Sequence, residues 1–235
     1  MRSSQTTRRG ALATIVAAAS GGCLGSFFSS ARHPTTVSVY NPAGQPREAS
    51  VVVSGEDATL VDAEVTVPPR ATVKLAEQVL NQQTVGVAVQ WDGTTTAYSW
   101  EVEDGLNVTL GDEVQIQTNA EIDVPRGFRR DGRVDVALSG HSGQTGTIRV
   151  TRDDDPEFEA SWTFSDVKSV TYHDRVDATG TGVVTVRSNG ADASEQVPLS
   201  EIVKITGNVK NTVWLSVYNV EEETYFPKGK RYVTD

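Results

Sequence analysis

The chain has 235 residues, 31 acidic against 21 basic side chains, a formal charge of −10, one cysteine, one methionine and three histidines. A dispersed acidic surface repels nucleic acid, and a single cysteine permits no intrachain disulfide. A blue-copper site, which needs His, Cys and usually Met, cannot be assembled when the sole methionine is Met1.

The first 22 residues read as an export signal. Arg2, Arg8 and Arg9 precede an apolar run from Ala11 to Ala19, and Ser20, Gly21 and Gly22 then lead into Cys23. A charged start, a short apolar stretch and a small-residue zone make a cleavable leader, and this apolar run is too short to cross a bilayer. The pair Arg8-Arg9 marks the twin-arginine route, and Cys23 directly after small residues reads as a lipidation site. On these residues the leader resembles that of twin-arginine-exported lipoproteins of haloarchaea. The resemblance implies export in the folded state, removal of residues 1–22 and attachment to membrane lipid through Cys23, on the extracytoplasmic face. The leader holds three basic residues and no acidic one, so the mature chain carries 18 basic against 31 acidic side chains, a net of −13.

Residues 23–35 follow as the lipidated cysteine and a tether, rich in Ser with Gly25 and Pro34 and without a sustained period. Fully extended, such a segment reaches roughly 40 Å, which holds the first folded element close to the membrane. Phe27 and Phe28 either dip into the lipid interface or pack on the protein.

From Thr36 the pattern becomes strict alternation. Val37 and Val39, Val51 and Val53, Val65 and Val67, Val73 and Leu75, Val85, Val87 and Val89, Trp100 and Val102, Leu106, Val108 and Leu110, and Val114 and Ile116 each stand two apart. A period of two over short runs marks half-buried antiparallel strands. Turn residues separate the runs, at Asn41-Pro42-Ala43-Gly44, Ser54-Gly55-Glu56-Asp57, Pro68-Pro69 and Asp92-Gly93, the last a strong hairpin signal. One short helical turn is expected at Leu75 to Asn81.

The second half repeats the first at an offset of 97 residues. Val37 and Val39 fall on Val134 and Val136, Val73 on Val170, Leu75 on Tyr172, Val87 and Val89 on Val184 and Val186, Gly93 on Gly190, and Leu106 and Val108 on Val203 and Ile205. A slip of one residue would turn every inward side chain outward, so preserved parity over this length indicates one fold used twice. The predicted architecture is all-β, two tandem antiparallel sandwiches over residues 36–118 and 119–219, with a tail at 220–235. Val-Ser-Val-Tyr-Asn-Pro at 37–42 and Glu-Val-Thr-Val-Pro-Pro-Arg-Ala-Thr-Val at 64–73 resemble immunoglobulin-like modules on exported haloarchaeal proteins. Antibody-type cysteines are absent, which excludes a disulfide-stapled variant.

Motifs for chemistry mostly fail their structural tests. His33, His141 and His173 lack the HxxxH or HxH spacing of a zinc site. Gly140-His141-Ser142-Gly143 has the outline of a nucleophile elbow, but its second glycine comes one residue early and no helical pattern follows, so it reads as a turn. Val170 and Tyr172 take the inward parity, which places His173 on the solvent face. Three features are binding candidates. Asp153, Asp154, Asp155 and Glu157 cluster on a turn and could offer calcium several oxygens, or form a solvated acidic loop. Arg126, Arg129, Arg130 and Arg133 lie between the repeats, to clamp the first half, whose residues 36–118 carry 3 basic against 12 acidic side chains, or to meet an anionic glycan or partner protein. Asn107-Val108-Thr109 is a glycosylation acceptor with Asn107 on the polar parity of its strand.

These residues together predict a membrane-anchored extracytoplasmic lipoprotein acting as a non-catalytic binding or cell-surface structural module. It would use no cofactor other than calcium at the acidic turn, and its partner would be a surface protein or glycan. An accessory subunit of a surface enzyme or transporter, or a hydrolase with His141 or His173 beside a carboxylate, is the alternative.

Overall fold

A computed structural model of the chain describes residues 34–81, 83–103, 105–117, 132–210, 212–219 and 230–233. The described residues are all-β apart from one 3-10 turn at Leu199–Glu201. The first half supplies eight strands, β1 (Pro34–Asn41), β2 (Arg47–Ser54), β3 (Thr59–Val67), β4 (Ala71–Leu80), β5 (Thr84–Trp91), β6 (Thr94–Glu101), β7 (Leu106–Leu110) and β8 (Val114–Gln117). The second half supplies their equivalents in the same order, β9 (Arg133–Ser139), β10 (Thr145–Arg152), β11 (Asp155–Thr163), β12 (Val167–Asp177), β13 (Thr181–Ser188), β14 (Ala191–Pro198), β15 (Ile202–Val209) and β16 (Val213–Asn219). A last strand, β17 (Lys230–Val233), lies in the expected tail and pairs with β16.

The duplication holds strand for strand. The order β3-β2-β5-β6 in one half recurs as β11-β10-β13-β14 in the other, and β4-β1-β7-β8 recurs as β12-β9-β15-β16. Even the unusual pairing is copied, since β1 runs parallel to β7 and β9 parallel to β15 within otherwise antiparallel sheets. Local chemistry explains the turns. Asp92 and Gly93, at φ 48 and 75, and their equivalents Asn189 and Gly190, at φ 49 and 83, both take the left-handed region that a two-residue hairpin turn needs. Asn41 is fully buried at the β1 exit, where its amide reaches the Gln45, Val67 and Pro68 carbonyls and its oxygen accepts the Ala43 N–H.

The two halves are joined by more than a linker. Their two outer sheets merge into one of nine strands, ordered β17-β16-β15-β9-β12-β4-β1-β7-β8. At the seam β4 and β12 run antiparallel, and Val73 pairs with Val170, its own counterpart in the repeat. Equivalent strands placed side by side and antiparallel are related by a local two-fold, so both four-stranded sheets cover the same face of the wide sheet. Between the layers runs one continuous apolar cluster, from Val37, Trp100 and Leu106 in the first half to Phe164, Ile202 and Leu215 in the second, and the halves form a single compact unit. The expected helical turn after Leu75 is strand as far as Leu80, because β12 pairs with β4 up to Leu75 and β1 continues the pairing to Leu80, which overrides a weak local helical preference.

Candidate functional site

Parity divides the seam strands into two rows. Val39, Val73, Val170 and Val136 face the core, whereas Tyr40, Thr72, Thr171, Asp135 and Lys204 take the opposite face. On that outer face three side chains from different strands converge. His173 Nδ1 lies 3.0 Å from Asp135 Oδ2, and Nε2 lies 2.8 Å from the Thr72 hydroxyl. With the carboxylate accepting the Nδ1 proton, neutral imidazole accepts the Thr72 hydroxyl at Nε2; protonated, it donates to both. The second Asp135 oxygen accepts the Asp174 N–H at 3.0 Å, and the Tyr40 ring stands edge-on to the imidazole, 5.7 Å between centroids.

This corrects the expectation of a surface histidine. Parity did place His173 off the core, but the face it joins is shared with the first half, and its side chain keeps only 13% exposure. Burial alone would raise the Asp135 carboxyl; the His173 bond and charge, the Asp174 N–H and Lys204 outweigh it and hold the group below the usual aspartate range.

Thr72, His173 and Asp135 have the order of contacts found in a nucleophile, base and orienting carboxylate. Their setting does not suit turnover. Thr72 is 6% exposed in mid-strand, flanked by Tyr40 and Thr171. An open cleft of about 440 Å3 lies elsewhere, lined by Thr145, Thr147, Arg187, Asn189 and Asp192 of the second half. The geometry is that of a polar staple linking β4 to β9 through β12.

Several lysines also lie on or beside the seam strands: Lys168 feels the charges of Lys74 and Lys210, and Lys204 that of Lys74. Burial first, then the charges of Lys74 and Lys210, push the Lys168 ammonium below the ordinary lysine range. Lys204 is lowered by burial and by Lys74 against the opposing pull of Asp135, and Arg175 by burial and by Arg70 and Arg133. Arg175 also donates to the Pro69 carbonyl, a further link between the halves. Sequence reasoning missed these proximities, because Lys74 and Lys168 become neighbours only when β4 pairs with β12.

The remaining candidates fall out as follows. Asp153 and Asp154, at φ 49 and 68, form the two-residue β10–β11 turn, a position that favours aspartate for conformational reasons. Glu157 is committed to Arg152 at 2.9 Å and to the Asp177 N–H, and among the described residues no group of three or more His, Cys, Asp or Glu could hold a metal ion. Arg133 pairs with Asp177 at 3.3 Å inside its own half; Arg126, Arg129 and Arg130 lie outside the described residues, as do Arg8, Arg9, Cys23 and His33. Asn107 follows its predicted parity but is 5% exposed, since β1 and β8 flank it, and the folded chain presents no open acceptor there. His141 sits in the exposed β9–β10 turn, where Gly143 at φ 84 makes the bend and Phe164 lies over Gly140 so closely that no Cβ would fit.

Tyr172, beside His173 on the inward face, packs edge-on to Phe158 at 5.3 Å. Burial pushes its phenol up to about 12, with Arg175 opposing. A folded value above the unfolded one means stability fully present below about pH 10 and lost as pH rises towards 12. Tyr172→Phe should therefore remove about 2–3 kcal/mol of alkaline destabilisation, read as a flatter profile of urea midpoint against pH between 9 and 12.

No family model matches the chain, and no curated protein matches it in sequence. Among solved structures it is similar to a family 26 carbohydrate-binding module of the Amy13K protein of Eubacterium rectale, crystallised with maltoheptaose, at 7% identity and a TM-score of 0.30, over 80% of this chain and 99% of that one.

Proposed function

We propose that the protein is a lipid-anchored extracytoplasmic module that binds or organises a surface partner without catalysing a reaction. The observation that carries this reading is the succession of Arg8-Arg9, the apolar run Ala11 to Ala19, the small residues and Cys23 ahead of an all-β body. The body fits the role. Among the described residues His173 is engaged in a structural staple, and the wide sheet offers a polar face. A partner of that face is a glycan or another surface protein. Cys23→Ser should move the protein from the membrane fraction to the medium, and replacing both Arg8 and Arg9 with Lys should leave it inside the cell. Membrane retention of the Cys23→Ser chain would remove the anchor from the proposal. Pull-down of the native protein from membranes would identify the partner.

A further inference from the structure

The two copies of the fold carry different side chains on the outer faces of their four-stranded sheets. Strand register fixes the comparison, since Val51 pairs with Val89 and Ala63 as Ile148 pairs with Val186 and Ala160. Inward positions stay apolar in both, Val51, Val87 and Val89 against Ile148, Val184 and Val186. On the outward parity, Val52 and Ala88 of the first half correspond to Arg149 and Thr185, Gln90 to Arg187 and Ala97 to Ser194. The core is the same, and the outward face of the second copy has more groups that can hydrogen-bond a ligand.

Adjacent strands bring three of these groups into one row. Thr147 on β10 stands opposite Arg187 on β13, which stands opposite Asp192 on β14. Asn189, from the turn that joins β13 to β14, and Thr145 complete the polar wall of the open cleft of about 440 Å3, a volume within the range of about 300–1,000 Å3 that small-molecule sites occupy. Arg187 and Asp192 are exposed, and neither makes an ion pair or side-chain hydrogen bond among the described residues, whereas Arg149 on the same face is engaged by Glu159 at 3.7 Å. Thr147 Oγ1 lies 2.7 Å from Ser161 Oγ, and Thr145 Oγ1 lies 2.9 Å from Thr163 Oγ1. Each hydroxyl pair holds two protons and uses one internally, so one donor per pair is left for a ligand.

This lining selects a chemistry. One guanidinium beside one carboxylate leaves no net charge to attract a simple ion, and among the described residues of the lining only Ala191 has an apolar side chain, so an apolar ligand would gain little by burial. Donors, an acceptor-only carboxylate and hydroxyls that do both suit a ligand whose own groups donate and accept at once. We propose that the cleft is a binding site for a neutral saccharide, with a vicinal diol accepting from Arg187 and donating to Asp192 while Thr145, Thr147 and Asn189 orient the ring. The inference deepens the binding-module reading by naming a partner class and giving it a face apart from the wide sheet; it rests on that reading for its biological setting alone.

The test titrates the isotope-labelled full chain with D-glucose, D-mannose and D-galactose, which present trans neighbouring hydroxyls and two different cis pairs, each to about 100 mM. At least one sugar should shift the amide resonances of Asn189, Gly190 and Ala191 with a dissociation constant of about 1–50 mM, the affinity an open polar cleft supports. Arg187→Ala and Asp192→Ala should each weaken binding about tenfold, the loss of one hydrogen bond to a charged group. Gln90→Ala, at the corresponding place in the first half, should leave it unchanged, and sodium phosphate should leave the three amides in place. The variants change exposed side chains, and the rest of the spectrum verifies that each is folded. No shift of those amides with any of the three sugars, an equal shift with phosphate, or undiminished binding by Arg187→Ala and Asp192→Ala would overturn the site. Such a failure leaves the anchored-module reading standing, because fractionation of the Cys23→Ser chain and the membrane pull-down test it without these residues.

Discussion

Replacing Val170 with Asp is expected to unfold both halves of the protein in one step. Val170 is fully buried at the seam, with Val73 of the first half on one side and Leu138 of the second on the other. A carboxylate there has no cation or donor to meet in the apolar layer, and an unpaired buried charge costs on the order of 3–5 kcal/mol or more. That is much of the about 5–15 kcal/mol a domain possesses. Val183→Asp, on the exposed side of β13 at 39% exposure, is the control and should stay within about 0.5 kcal/mol of wild type. Native-state hydrogen exchange gives the decisive readout. Because β4 is hydrogen-bonded to β12, loss of protection in the second half should spread to β1 and β4. Persistent protection of β1 to β8 beside an unfolded second half would mean that the two sandwiches are independent.

The reading of each half as a sandwich was legible because its information is local. A two-residue period fixes which side chains point inward, Asp92-Gly93 and its copy fix hairpins, and the offset of 97 carries both from one half to the other. The seam was not legible, because β4 and β12 each look like any half-buried strand whether an edge or a neighbour lies beside them. Pairing energy at an edge depends on backbone groups that every sequence supplies equally. His173 shows the consequence. Its parity was read correctly and its environment wrongly, since the solvent expected on that face is replaced by Thr72 and Tyr40 from 101 and 133 residues earlier. The acidic turn is ambiguous for a different reason. Aspartate serves both as a metal ligand and as a left-handed turn residue, and the backbone angles of Asp153 and Asp154 account for both residues by the turn alone.

Removing the His173 ring should cost about 3 kcal/mol, and the acid side of the stability profile should show why. His173→Ala deletes the bonds to Asp135 and Thr72 together and leaves a largely buried carboxylate with only the Asp174 N–H and the charge of Lys204. In the wild type the folded Asp135 carboxyl lies below its unfolded value. Its contribution is therefore fully present above about pH 4 and lost as pH falls through the lowered folded value. Without the imidazole, burial is no longer outweighed, the carboxyl rises towards or past its unfolded value, and the acid limb should flatten or reverse. Asp135→Asn should lose that limb altogether while keeping an oxygen for the Asp174 N–H. Urea midpoints between pH 3 and 8 check both. The same variants judge the hydrolase alternative, because a working Thr72 nucleophile requires ester turnover that His173→Ala abolishes and Thr72→Ser retains. A staple requires no turnover in the wild type and a loss of stability in His173→Ala that Thr72→Val reproduces only in part, by about 1 kcal/mol for one neutral hydrogen bond.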